Sequence, residues 1–138
     1  MARDPRIASW ADIRVRFQPF TLYPELPMDG TGVDKMEYFK RLGEARHPTR
    51  SEEDRLGFWE GKRRQWEADG LNLRFRGGRL GNSFDAQRLI YLARKQGRED
   101  QCIEAVYKAN HEEDKCLSDR AVLLEAAERA GTSRVSFV

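Results

Sequence analysis

Long apolar runs, a secretory signal and a marked charge excess are all missing from this sequence of 138 residues. No apolar stretch approaches the roughly 20 residues that span a bilayer, so we expect no membrane partner. The first residues lead into no apolar segment of a signal peptide, which favours a cytoplasmic location. A count of 25 Lys and Arg against 23 Asp and Glu leaves a net charge of +2. That excess is too small to predict nucleic-acid binding, which usually needs clustered positive charge and a pI above about 9.

Cysteine is scarce as well, since the chain has only Cys102 and Cys116, with neither a CxxC motif nor metal-ligand spacing. Cys102 falls on an apolar helical stripe, which predicts a core position. Cys116, in a loop before Ser118, is either a reactive thiol or an ordinary loop cysteine. His111 and the acidic residues 112–114 are expected to form a solvated helix end. The sequence therefore predicts no metal and no cofactor, and spacing alone indicates no reaction.

An N-terminal strand is predicted by the strict alternation over residues 13–17 (IRVRF), which places apolar side chains on one face and arginines on the other. The strand should end before Pro19, which cannot donate a ladder hydrogen bond. Residues 20–27 (FTLYPELP) contain two further prolines and predict an extended, packed loop. Residues 71–75 alternate too, and they predict either a second short strand or an extended connector.

Two helices are predicted in the first half of the chain by their capping residues. Thr31 or Asp34 is the expected N-cap of the first helix, and Gly43 is expected to end it. Ser51, followed three positions later by an acidic residue, predicts the start of a longer helix that ends at Gly70.

The clearest pattern is a set of three amphipathic helices between residues 82 and 131. Asn82 or Ser83 should cap the first, Gly97 should end it, and Ser118 should cap the third. Short loops between them favour antiparallel packing into a three-helix unit. Each helix carries apolar residues at i, i+3, i+4 and i+7: Ala86, Leu89, Ile90 and Ala93; Cys102, Ala105, Val106 and Ala109; Leu123, Ala126, Ala127 and Ala130.

The loop over residues 74–79 (RFRGGR) carries the strongest local positive charge. Three guanidinium groups ahead of a helix N-terminus are one arrangement that binds anions. A single RGG-like copy is also a weak indication of nucleic-acid contact. An exposed turn between the two halves of the chain explains the same residues and is the interpretation we favour.

Five segments, in order, resemble DsbA-like thioredoxin-fold proteins, and specifically the FrnE-like subgroup. Residues 17–27 (FQPFTLYPELP) resemble the family's RPFxLxP strand and loop, and residues 81–89 (GNSFDAQRL) resemble its NTxxAHRL helix start. The stretches at 104–109, 117–123 and 130–131 follow the family's later motifs in the same order. The resemblance extends from residue 13 to residue 131, nearly the whole chain.

The resemblance implies a mainly α chain with one or two short strands, part of an α/β thioredoxin-like fold. Residues 13–27 would form a strand and proline-rich loop, and residues 33–131 the helical insertion that covers the active site. The family's activity is thiol–disulfide exchange at a CxxC motif that faces a cis-proline. Neither element occurs in this sequence, so no catalytic residue is predicted, and we expect an incomplete domain that is inactive alone.

The resemblance also implies where a substrate would lie. Asn82, Ser83 and Phe84 match a segment that faces the family's cleft, and Gln87 stands where the family has a histidine. These four are the substrate-side candidates.

Two other functions remain open. One is a non-catalytic helical interaction module, and the other is the glutathione-dependent isomerase or transferase branch of the superfamily. The expected partner is a protein thiol or disulfide substrate, or a second chain that completes the sheet at residues 13–17 or at the apolar tail, residues 135–138. A homo-oligomer is open too.

Overall fold

The computed structural model describes residues 15–74 and 77–133, and within them five helices and two short strands form the fold. In chain order the elements are β1 (Val33–Asp34), α1 (Lys35–Arg46), α2 (Glu52–Ala68), β2 (Arg79–Leu80), α3 (Phe84–Lys95), α4 (Glu99–His111) and α5 (Arg120–Arg129). The fold is mainly α with two short strands, as predicted. None of these helices is long and apolar enough to cross a membrane.

The hydrophobic core lies among α3, α4 and α5, because the apolar stripes of the three helices meet there. Leu89 and Cys102 are completely buried, and Leu123 is 2% exposed. Half-buried Phe17 packs on this cluster from the N-terminal segment. The predicted three-helix unit is therefore confirmed, with its core made of Ala86, Leu89, Ile90, Ala93, Cys102, Ile103, Ala105, Val106, Leu123, Ala126, Ala127 and Ala130.

Helices α1 and α2 form a second, looser layer. The carboxylate of Asp34 caps α1 by accepting from the Glu37 amide at 2.8 Å. Ser51 caps α2 in the same way through the amide of Asp54, at 3.1 Å. No side chain of α2 is fully buried, so this helix lies on the outside of the molecule.

The two strands join distant parts of the chain in an antiparallel ladder, with Val33 opposite Leu80 and Asp34 opposite Arg79. The guanidinium of Arg79 donates to the carbonyls of Thr31 and Gly32. The strand pair thereby fastens the start of α1 to the segment that leads into α3.

The structure has no strand in the described part of residues 13–17, where the sequence predicts one. Residues 13 and 14 are outside the described residues, and Val15–Phe17 forms no strand. The carbonyl of Phe17 instead accepts a hydrogen bond from Arg94 on α3, so a helix takes the place of a neighbouring strand. Leu71–Arg74 also forms no strand, which favours the connector interpretation for its described part.

Three predicted helix ends shift by a few residues. Helix α1 continues past Gly43 to Arg46, and α2 ends at Ala68 rather than at Gly70. The N-cap of α5 is Asp119 instead of Ser118, because the Asp119 carboxylate accepts from the Ala121 amide at 2.8 Å.

Candidate functional site

The start of α3 is held by Asn82, which is 5% exposed. Its side-chain oxygen accepts from the Phe84 amide at 2.8 Å and so caps the helix. Its side-chain nitrogen donates to the carbonyl of Pro24 at 3.0 Å, and its backbone amide donates to that of Pro27 at 2.9 Å. Asn82 therefore ties the proline-rich loop to α3, and its polar atoms are used within the protein.

The other three candidate residues lie on two different surfaces. Ser83 is half-buried and lines a cavity of about 380 Å³ beneath α2. Phe84 and Gln87 line a separate cleft between α3 and the N-terminal segment. The structure thus brings Phe84 and Gln87 together and separates them from Ser83.

We call this second space the aromatic cleft, and its volume is about 370 Å³. Its aromatic side chains are exposed to solvent. Phe20 is 73% exposed, and Phe84 and Tyr91 are each 48% exposed. A group of large exposed apolar side chains around a cleft is typical of a binding surface. The full lining is Pro19, Phe20, Thr21, Phe84, Gln87, Arg88, Tyr91 and Leu92.

Two cations border the aromatic cleft, and one of them, Arg88, is ion-paired with Asp85 at 2.9 Å. The Arg88 guanidinium lies 5.9 Å from the centre of the Phe84 ring, and the Lys95 ammonium lies 4.9 Å from that of Tyr91. In such cation–π contacts, each cation is attracted to the face of the aromatic ring that it covers. Arg94 is engaged elsewhere, because it binds Glu99 at 2.6 Å and the carbonyl of Phe17.

Neither cysteine is placed as a nucleophile. Cys102 lies in the core of α4, where burial raises the pKa of its thiol to about 11 and keeps it protonated. Cys116 is 8% exposed, and its sulfur lies 3.3 Å from the Ser118 hydroxyl. Both thiols are free rather than disulfide-bonded. Of the two interpretations of Cys116, the buried position supports an ordinary structural cysteine, because a reactive thiol needs access and an electropositive neighbour.

A buried lysine, which the sequence pattern did not indicate, lies at the first position of α1. Lys35 is 3% exposed, and its ammonium donates to the carbonyl of Asn110 at 3.0 Å and to the carboxylate of Asp114 at 3.2 Å. A third bond of 3.5 Å reaches the carbonyl of Arg74. This cluster joins α1 to the end of α4, and it satisfies the charge of Lys35 completely.

Two of the three acidic residues after His111 are ion-paired and partly buried, so the predicted solvated helix end is wrong for Glu113 and Asp114. Asp114 binds Lys35, and Glu113 binds Arg129 at 2.6 Å and Lys115 at 2.9 Å. Desolvation of the imidazole and the charge of Lys35 lower the pKa of His111. Among residues 15–74 and 77–133, no three His, Cys, Asp or Glu side chains are close enough together to hold a metal ion.

The arginine-rich loop is only partly described, since residues 75 and 76 lie outside the described residues. Arg79 uses its guanidinium on the backbone carbonyls ahead of β1, and the amide of Arg74 donates to the carbonyl of His111 at 2.6 Å. The guanidinium of Arg79 therefore holds β1 and β2 together.

The sequence matches a known protein family over nearly its whole length. The family model of the DSBA-like thioredoxin domain matches residues 4–138. Comparisons with curated proteins and with solved structures give no significant match. Because the family model covers nearly all of the sequence, the chain belongs to the family of the DSBA-like thioredoxin domain.

Proposed function

We propose that this chain supplies the helical, substrate-side part of a DsbA-type thiol–disulfide protein. Residues 33–131 would be the helical insertion, and the N-terminal segment with its proline-rich loop up to residue 27 would border it. The observation that carries the proposal is the aromatic cleft, where Phe84 and Gln87 of the candidate segment line one open apolar surface. The order of the motifs around residues 81–89 further supports membership of the FrnE-like subgroup.

The proposal assigns binding to the cleft and excludes Cys102 and Cys116 from electron exchange. Thiol–disulfide exchange needs an accessible thiolate. Burial raises the pKa of Cys102 and removes access to it, and Cys116 is also buried.

The binding test uses reduced, carboxymethylated lactalbumin, an unfolded protein without free thiols. The wild-type chain should bind it, and F84A and Y91A should each weaken binding at least fivefold by removing exposed aromatic area. L124A is the matched control, because Leu124 on α5 is 43% exposed and does not line the cleft. Absence of binding, or an equal loss in L124A, would contradict the proposal.

The exchange test measures reduction of insulin by the chain with dithiothreitol, alongside the double variant C102S/C116S. We expect neither protein to exceed the dithiothreitol background. Turnover that depends on either cysteine would contradict the exclusion of these thiols.

A non-catalytic interaction module is the second candidate, and the exposure of Phe20, Phe84 and Tyr91 also favours it. Sedimentation of the pure protein separates the two candidates. A folded monomer at high concentration argues against an obligatory partner chain, whereas a stable oligomer supports the module.

A further inference from the structure

A second apolar cleft, distinct from the aromatic cleft, runs between α1 and the inner side of α2. We call it the α1–α2 trough, and its volume is about 440 Å³. This size lies within the range of about 300–1,000 Å³ that is usual for small-molecule sites. Its apolar lining consists of Met36, Phe39, Leu42, Leu56, Phe58 and Trp59.

The cavity of about 380 Å³ beneath α2 adjoins the trough, because Tyr23, Phe39 and Trp59 line both spaces. Trp59 lies in both, and Trp66 lines the inner cavity. These two residues are seven positions apart on one helix, which is about 10 Å along its axis. Aromatic side chains therefore line the two adjoining spaces over about 10 Å along α2, a length that matches part of an extended hydrocarbon chain.

The negatively charged side chains that line the trough already have partners within the protein. Its three carboxylates are all engaged: Asp34 caps α1, Glu37 binds Arg41 at 2.8 Å, and Glu52 binds Lys40 at 3.3 Å.

Arg46 and Arg50 line the end of the trough where α1 turns into α2. Within the described part of the chain, neither guanidinium has a carboxylate within 4.0 Å. One end of the apolar trough thus carries two exposed cations that have no carboxylate partner among the described residues.

We propose that the α1–α2 trough binds a single-chain fatty carboxylate, which goes beyond the thiol–disulfide function proposed above. The carboxylate binds Arg46 and Arg50 through charge-assisted hydrogen bonds. The hydrocarbon chain lies along Phe39 and Trp59 and extends toward Trp66. Burial of each methylene in this space supplies most of the affinity.

The test is a titration of the full chain with dodecanoate below its micelle concentration, followed by tryptophan fluorescence and by calorimetry. Dodecanoate should bind saturably at one site per chain. Octanoate should bind roughly 200-fold more weakly, because it buries four fewer methylenes. Dodecyltrimethylammonium, with the same chain and the opposite charge, should bind at least tenfold more weakly than dodecanoate.

Variants separate the head-group contact from burial of the chain. R46Q/R50Q should weaken dodecanoate about tenfold and leave dodecanol binding unchanged. R64Q/R98Q is the matched control, because it also removes two exposed arginines and neither lines the trough. L56W fills the trough from a position that is 39% exposed and should weaken both ligands at least tenfold, with far-UV circular dichroism unchanged.

Three results would overturn the proposal. They are the absence of saturable dodecanoate binding, equal affinity for the cationic analogue, and an effect of R64Q/R98Q as large as that of R46Q/R50Q. A fourth result would overturn it as well: a stable dimer that dodecanoate does not dissociate and that L56W abolishes. The occupant of the trough would then be a second copy of the chain.

Discussion

Asn82 and Lys35 are buried polar side chains that connect segments far apart in the sequence. The amide of Asn82 reaches the carbonyl of Pro24, which is 58 positions away. The ammonium of Lys35 reaches Asn110 and Asp114, 75 and 79 positions away. A buried polar group without a partner costs about 1–3 kcal/mol, so each of these contacts also specifies which loop conformations are allowed.

Replacement of Asn82 tests its role in holding the proline-rich loop. N82A removes the helix cap and the bond to Pro24, so the free energy of unfolding should fall by about 2–3 kcal/mol. Urea denaturation followed by circular dichroism measures the change. S83A is the control, because Ser83 makes no capping bond, and it should change stability by less than about 0.5 kcal/mol. Equal effects of the two variants would contradict this role.

Replacement of Lys35 tests the effect of its buried charge on the pKa of His111. Because the charge of Lys35 lowers the pKa of His111, K35M should raise that pKa and should destabilise the fold by about 3 kcal/mol. NMR titration of the imidazole protons measures the pKa, with His47 at the end of α1 as an internal control. An unchanged pKa of His111 in a folded K35M variant would contradict the effect assigned to the charge of Lys35.

At the scale of elements, ion pairs connect the loop after α4 to α5. Glu113 and Glu125 each bind both Lys115 and Arg129 at 2.6–2.9 Å. Hydrogen bonds from Arg129 and Lys115 lower the pKa of Glu113 to about 2, from an ordinary value of 4.5. A carboxyl whose pKa is lowered in the folded state stabilises the fold above its unfolded pKa and loses that effect as pH falls.

The contribution of Glu113 should therefore be complete above pH 4.5 and should disappear as pH falls toward 2. E113Q should be less stable than wild type at pH 7, and the difference should shrink across that window. Urea midpoints measured at several pH values check this, with E104Q on the exposed face of α4 as control. A difference between E113Q and wild type that is constant with pH would contradict the account.

The elements could be predicted where local signals determine them. The apolar stripes of α3, α4 and α5 and the Ser51 cap follow from helical spacing and capping chemistry. The ladder of β1 and β2 has no such signal, because each strand has two residues and its partner is more than 40 positions away. The predicted strand at residues 13–17 is wrong in its described part, because an alternating sequence does not identify the strand with which it would pair. The carbonyl of Phe17 instead accepts a hydrogen bond from Arg94 on α3.

The substrate-side role of the four candidate residues stays a prediction, and the structure shows where they lie. Phe84 and Gln87 line a common cleft. Asn82 does not face it, since its polar atoms serve the proline-rich loop. The exposed stripe of α3 gave no indication of Phe20 as the opposite wall, because that contact depends on the path of the N-terminal segment.

At the scale of the whole molecule, a tight three-helix core supports a looser layer of α1 and α2. The core holds Cys102, and the loop next to it holds Cys116. The two clefts lie outside the core, on surfaces where α2 and the N-terminal segment leave apolar side chains exposed. The molecule therefore separates its buried thiols from the surfaces that we propose bind ligands.

Thiol titration of the native protein with Ellman's reagent tests this separation most directly. Both thiols should react slowly in buffer at pH 7, at a rate limited by opening of the fold, and both should react at once in denaturant. Rapid native-state reaction of Cys102 or Cys116, with a thiolate pKa near or below 7, would contradict the central claim that this chain binds without exchanging disulfides.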